Sequence, residues 1–147
     1  MLQRATQEDF PILIEIWERS VRATHDFLPE AEINELKPLI LNEYFQHVLL
    51  HKYVIDEQII GFIGTSPNNI EMLFIEPDFR NQGIGKALTL FAIEKLNIQK
   101  VDVNEQNPQA IGFYQKLGFE VIARSELDGQ GKAYPLLHLK YSAKVQR

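Results

Sequence analysis

The densest chemical signal in this 147-residue chain is Arg80-Asn81-Gln82-Gly83-Ile84-Gly85-Lys86, a glycine-rich turn between a run of strand periodicity and a run of helical periodicity. A helix N-terminus exposes unpaired N–H groups and partial positive charge, and glycines let an anion approach the backbone, so the turn suits a phosphate or pyrophosphate. Arg80 and Lys86 add positive charge at that place in a chain that is acidic overall. The same residues also read as a tight turn with solvated basic side chains. Two other phosphate-binding patterns fit less well. A P-loop needs Gly where the chain has Arg80, and Ser or Thr where it has Ala87. The dinucleotide fingerprint finds Gly83 and Gly85 but Leu88 in third place, although Asp102 stands about 20 residues on, where a ribose-binding acid would be. A dinucleotide domain usually opens on this unit, whereas here a hairpin precedes it, so that reading is the weaker one.

The elements that must position the turn follow from changes of hydrophobic period. A short strand over 2–5 leads to Thr6 and Asp9, which have N-cap spacing, and Phe10, Leu13, Ile14, Trp17 and Val21 then share one face of a helix over 7–21. Pro29 opens a second helix aligned on Ile33, Leu36 and Ile40, kinked or divided at Pro38, which leaves 22–28 as a loop. The period then drops to two: strands over 53–55 and 59–63 form a hairpin, and a third strand over 70–75 is ended by Pro77. A helix from Ala87 to Leu96, a strand over 101–103, a helix over 108–117 and strands over 119–123 and 134–141 complete the chain. An antiparallel meander followed by one strand–helix–strand unit predicts an α+β protein with a mixed sheet covered by helices, not a doubly wound parallel fold.

Composition narrows the function classes. The length is that of a single domain over 1–147, and 45% apolar residues with nine Phe and five Tyr give it a core to bury. Fifteen Lys and Arg against 20 Asp and Glu leave a net charge of −5, the wrong sign for a nucleic-acid partner. The lack of cysteine removes disulfides, thiolate metal sites and a cysteine nucleophile. The histidines make no H-E-x-x-H pattern, so no metal is expected. No stretch approaches the roughly 20 apolar residues of a membrane span, and the first residues have no signal-peptide core, so the expectation is a cytoplasmic protein with no membrane partner.

Downstream of the turn the chain reads Asn107-Pro108-Gln109-Ala110-Ile111-Gly112-Phe113-Tyr114-Gln115-Lys116-Leu117-Gly118-Phe119. Arg80, Gly83 and Gly85 match R/Q-x-x-G-x-G/A, and this later stretch matches N-x-x-A-x-x-F-Y-x-K-x-G-F without a gap. The ordered pair resembles the GNAT superfamily of acyl-CoA-dependent N-acyltransferases over essentially the whole chain, and residues 20–28, 103–107 and 134–137 resemble its bacterial YjaB-type branch. The resemblance implies a mostly antiparallel twisted sheet of about seven strands flanked by about four helices. It implies an N-acetyltransferase that moves an acetyl group from acetyl-CoA to a primary amine of a small molecule, peptide or protein, with coenzyme A as product. It further implies that the backbone N–H groups of Arg80, Asn81, Gln82, Gly83, Ile84, Gly85 and Lys86 hold the pyrophosphate. The edge of Leu73, Phe74 and Ile75 would pair with the pantetheine arm, Asn107 would contact that arm, and the strands would splay apart at Phe74 and Val103.

Direct transfer to an amine asks the protein to remove a proton from the amine, stabilise an oxyanion and protonate the leaving thiolate. Tyr114 resembles the family's general acid. Asn107 also reads simply as a helix N-cap. For the base, strict alternation puts Glu71, Leu73 and Ile75 on one face, bringing the Glu71 carboxylate near the acceptor directly or through water. His25, Asp102 and Glu105 are rivals, and histidine has the unperturbed pKa nearest neutrality, at about 6.5. A backbone N–H around Phe74 or Ile75 is the expected oxyanion donor. Acceptor recognition falls to Trp17, His25, Phe27, Leu28, Tyr134 and His138, although the place of Trp17 on the apolar stripe favours the core. A non-catalytic acyl-CoA sensor shares all these motifs and differs by the absence of turnover. The edge of the final hairpin leaves monomer and homodimer both open.

Overall fold

Two apolar surfaces, one on each face of a single sheet, decide the architecture. The computed structural model describes residues 1–24 and 27–142. In chain order its elements are β1 (Leu2–Arg4), α1 (Phe10–Thr24), α2 (Glu30–Asn42), β2 (Leu49–Ile55), β3 (Gln58–Ser66), β4 (Asn69–Ile75), α3 (Ile84–Lys95), β5 (Lys100–Asn104), α4 (Pro108–Leu117), β6 (Phe119–Ser125) and β7 (Leu136–Tyr141). Leu13, Trp17 and Val21 of α1 and Ile33 and Ile40 of α2 pack on Leu50, Ile59 and Phe62. On the opposite face Leu88 and Ala92 of α3 and Tyr114 and Leu117 of α4 pack on Ile63, Ile70, Val101, Val103 and Leu139. Each fully buried side chain of this size removes about 1.5–3 kcal/mol of unfavourable hydration, so both helix pairs are held by their apolar stripes.

The strand order is β1-β2-β3-β4-β5-β7-β6. Among the described residues β4 and β5 are the parallel pair and the other neighbours are antiparallel. The expected α+β class, strand number and helix number are those observed.

Several boundaries differ from the sequence expectation for physical reasons. Residues 7–9 form a 3-10 turn in which the Thr6 N–H donates to the Asp9 carboxylate at 2.9 Å, so α1 starts later, and it runs on to Thr24. Helix α2 passes through Pro38 unbroken, with Ile33 and Ile40 buried on either side of the lost hydrogen bond. Strand β2 starts at Leu49, because Leu49 to Lys52 pair with Thr65 to Phe62; the apolar run from Val48 hides that start in the preceding helical spacing. Strand β7 starts only after Pro135.

His51 on β2 gives a stability prediction. Its ring lies 4.6 Å from the Phe91 ring, and its buried Nδ1 has no hydrogen-bond partner. Burial, with a smaller contribution from the nearby Arg4 charge, holds its pKa below 6.5 in the folded protein. The unfolded chain therefore takes up the proton first as pH falls. Stability is full above pH 6.5 and declines as pH drops through the folded-state value. In thermal melts from pH 7.5 to 5, His51→Leu should lose less stability than the wild type over the same interval; parallel curves would refute the assignment.

Candidate active site

The site begins where two strands stop pairing. Strand β4 pairs with β5 at Asn69–Lys100 and Ile70–Val101, yet β4 continues to Ile75 and β5 to Asn104. Beyond those two pairs the strands diverge, and the sheet opens into a wedge near Phe74 and Val103. A bulge lies at its base: Thr65 faces Ile70 and Gly64 faces Met72, so Glu71 is an extra residue on β4. The bulge shifts the side-chain alternation. Ile70 and Leu73 both pack on the α3–α4 side despite their odd spacing, while Met72 and Phe74 pack on the α1–α2 side.

A cavity of about 300 Å³ occupies the wedge. Leu73, Phe74 and Ile75 of β4 line one wall, and Asn107, Ala110, Phe113 and Tyr114 line another. The turn contributes Arg80, Asn81, Gly83, Ile84, Gly85 and Lys86; Gln82 is the one residue of the turn outside the lining. Ser20 and Thr24 on α1 close the far side. Residues far apart in sequence thus come together as the motif pair requires.

The turn is built for close backbone approach. Asn81 and Gly83 have φ of 63° and 83°, and Gly83 caps α3 without any side-chain cap. The N–H groups of Ile84, Gly85 and Lys86 open α3 and have no preceding helical turn to bond to. A Cβ on Gly85 would make a 3.4 Å contact with the Phe113 ring, so the start of α3 lies close against α4. Arg80 is partly withdrawn from solvent, and burial lowers its pKa. Its guanidinium donates to the Ser20 carbonyl oxygen at 3.4 Å, and no carboxylate pairs with it among the described residues. Open amides beside a half-buried cation with no carboxylate partner among the described residues make a receptor for an anion.

Tyr114 is buried, with its ring edge-on to Phe113 at 5.0 Å and to Phe119 at 5.4 Å. Its hydroxyl bonds to no described residue and borders the cavity. Burial pushes the phenol pKa far up, so the group stays protonated across the working range of an enzyme. The Asn107 Oδ1 accepts from the Ala110 N–H at 3.2 Å as N-cap of α4, which leaves its amide NH₂ for the cavity.

The expected acceptor and base residues divide. Glu71 is exposed, accepts hydrogen bonds from Ser66 Oγ and Asn69 Nδ2, both at 2.6 Å, and lies outside the cavity lining. Strict alternation misplaced it because the bulge at Glu71 breaks the period. Trp17 is only 4% exposed and belongs to the α1–α2 core, a correction to its placement among acceptor-binding residues. Phe27 and Tyr134 do meet, with ring centroids 6.1 Å apart, and Leu28 packs against the α1–α2 core. The Tyr134 hydroxyl donates to Glu32 in a very short hydrogen bond, and this bond is the main cause of its raised pKa. Glu105 is engaged by Arg124 at 2.6 Å. His25 lies outside the described residues.

Sequence reasoning missed Ser20, Thr24, Phe79, Gln109, Ala110 and Phe113 as lining residues. For Ser20 and Thr24 a signal existed: two small hydroxyl residues one helical turn apart on a stripe otherwise apolar, with Thr24 Oγ1 donating to the Ser20 carbonyl at 2.7 Å.

The cradle, the unpaired β4 edge and the buried phenol fit a coenzyme A thioester: an anion-binding mouth, a peptide-like arm along a free strand edge, and a proton donor at the wedge. Residues 21–134 match a family model described as acetyltransferase (GNAT) domain, and the chain belongs to that family. It is an N-acetyltransferase that takes its acetyl group from acetyl-CoA. Over 141 residues it is 45% identical to the peptidyl-lysine N-acetyltransferase YjaB of Salmonella typhimurium, covering 95% of this chain and 97% of that one. The Escherichia coli K12 protein of the same name is 41% identical over 140 residues, 95% of each chain. The solution structure of apo-form YjaB from Escherichia coli matches with a TM-score of 0.86 at 42% identity over 96% of both chains. A PaiA N-acetyltransferase from Thermoplasma acidophilum, solved with coenzyme A, shares the fold at a TM-score of 0.75 and 24% identity, over 96% of this chain and 98% of that one. The dinucleotide-binding alternative is set aside by this family membership.

Proposed function

We propose that the chain works as a single cytoplasmic domain that acetylates lysine side chains of peptides or proteins. The observation that carries this reading is the likeness, over nearly the full length of both chains, to two relatives named peptidyl-lysine N-acetyltransferase. A second feature is compatible with it: Phe27 and Tyr134 pair their rings, an aromatic surface suited to the alkyl part of a lysine.

In this reading the amides from Arg80 to Lys86, with the Arg80 guanidinium, bind the pyrophosphate. The free edge of Leu73, Phe74 and Ile75 aligns the pantetheine arm, and a backbone N–H around Phe74 or Ile75 is the oxyanion donor. Bound acetyl-CoA supplies the activated acetyl thioester. The Asn107 amide orients the arm, and Tyr114 delivers its proton to the departing sulfur.

The test is incubation with acetyl-CoA and a panel of lysine-containing peptides, free polyamines and small amines, read by mass spectrometry with site mapping. The expected result is Nε-acetylation of peptide lysines at rates at least tenfold above the small amines. Preference for the small amines would overturn the peptide acceptor. Saturable acetyl-CoA binding with no transfer to any amine would favour the non-catalytic sensor.

A further inference from the structure

The buried stripe of α1 carries one hydroxyl. Leu13, Ile16, Trp17 and Val21 are apolar and at most 4% exposed, and Ser20 stands among them at 5%. Burying a hydroxyl costs stability unless it finds a partner. Ser20 Oγ makes no hydrogen bond with any described residue; the side-chain bonds that reach Ser20, from the Thr24 hydroxyl at 2.7 Å and the Arg80 guanidinium at 3.4 Å, both end on its backbone carbonyl oxygen. Four polar side chains are buried among the described residues, Ser20, His51, Thr65 and Thr89, and of these Ser20 is the one that lines the wedge cavity. Its uncommitted oxygen is therefore available to whatever enters that cavity.

What meets it follows from the two faces of the sheet. A group bound along the free β4 edge as an added strand hydrogen-bonds in the plane of the sheet, so the two faces of its trigonal carbonyl look toward the two faces of the sheet. The α3–α4 face is closed by its core, of which Tyr114 is a buried member. On the α1 face the cavity is bounded by Ser20 and Thr24, with Phe74 packed toward the same side. An amine lone pair adds perpendicular to the carbonyl plane, so the α1 face is its line of approach. A neutral primary amine carries two N–H groups besides that lone pair, and Phe74 accepts nothing. Ser20 Oγ has two lone pairs and a rotatable hydrogen, and it offers the N–H an acceptor on that face.

We infer that Ser20 Oγ orients the acceptor amine by accepting one of its N–H hydrogen bonds, which aims the nitrogen lone pair at the acetyl carbon. The inference rests on the acetyl-transfer reading and adds the contact that positions the nucleophile. Ser20 takes a hydrogen bond and not the proton. As the nitrogen–carbon bond forms, the carbon–sulfur bond breaks and sulfur takes the Tyr114 proton; the proton lost by the nitrogen passes to water, from which Tyr114 is reprotonated. The Ser20 carbonyl is held by Thr24 and by Arg80, and Arg80 belongs to the anion-binding turn. The residue that meets the amine is thereby tied to the turn that meets the phosphates.

The experiment compares wild type, Ser20→Ala and Ser20→Thr with acetyl-CoA and a lysine-containing peptide. Ala suits a helix and removes a buried hydroxyl that has no protein partner, so the melting temperature of Ser20→Ala should hold or rise. Its acetyl-CoA affinity by calorimetry should stay within about twofold of the wild type. Its kcat/KM for the peptide should fall about 5- to 10-fold, the size of one lost hydrogen bond. Ser20→Thr restores an oxygen on the same carbon and should return kcat/KM to within about threefold of the wild type. A Ser20→Ala enzyme whose kcat/KM stays within twofold overturns the inference while acetyl transfer stands. An acetyl-CoA affinity more than fivefold weaker in Ser20→Ala also overturns it, because the hydroxyl would then serve the coenzyme arm. A folded Ser20→Thr enzyme no faster than Ser20→Ala does the same, because the shape of the cavity would then decide the rate. If the wild type binds acetyl-CoA and acetylates no amine, the transfer reading itself fails and this inference falls with it.

Discussion

Tyr114→Phe should lower kcat by about 10²- to 10⁴-fold while leaving acetyl-CoA affinity nearly unchanged. The substitution removes one oxygen and keeps the ring, so the edge contacts to Phe113 and Phe119 persist. The hydroxyl has no hydrogen-bond partner among the described residues, so its loss orphans no buried group and the melting temperature should hold or rise slightly. What the variant lacks is a proton beside the leaving sulfur. Burial holds the phenol in its neutral form, so the donor is loaded at every working pH and contributes no alkaline limb to the rate profile. Steady-state kinetics with a peptide amine, beside calorimetry with acetyl-CoA, separates the two effects. An unchanged kcat would mean that water or another group protonates the thiolate, and that Tyr114 serves packing alone.

The parts of this site that are read from sequence are those whose chemistry is local. A helix start with glycines and no side-chain cap needs only residues 80 to 86, and the N-cap at Asn107 only four residues more of the same kind of spacing. The helix stripes of α1 and α3 are likewise local, because a period near 3.6 is written in consecutive residues. The parts that were not legible depend on pairing between distant strands. The extra residue at Glu71 exists only because β3 and β4 slip register between Gly64 and Thr65, and that slip moves the expected base off the face its alternation gave it. The bonds that hold His138 between Asp102 and Ser125, outside the cavity lining, need β7 inserted between β5 and β6, an order that no local pattern encodes. Trp17 shows the opposite failure: its stripe position already said core, and the pull of a large aromatic toward a binding role was misleading.

Gly85→Asp should abolish useful acetyl-CoA binding, raising Kd about 100-fold or more, roughly 2.8 kcal/mol, in a protein that remains folded. The position separates stability from binding. Gly85 sits one residue into the first turn of α3, where a carboxylate complements the unpaired N–H groups and stabilises the helix by about 0.3–1 kcal/mol. Its added Cβ meets the Phe113 ring at 3.4 Å, an ordinary contact, and its φ is not in the left-handed region. The same carboxylate occupies the place of the pyrophosphate and repels it, and it neutralises the Arg80 charge that otherwise waits for an anion. Gly83→Asp would be a poor substitute, because a φ of 83° strains any side chain and the helix start would shift with it. Gly85→Ala is the size control and should bind within about fivefold of the wild type. Calorimetry with acetyl-CoA, paired with thermal melts, reads both quantities. A Gly85→Asp protein that melts like the wild type and binds acetyl-CoA within threefold would show that the phosphates are held elsewhere, and Arg80 would then need another partner.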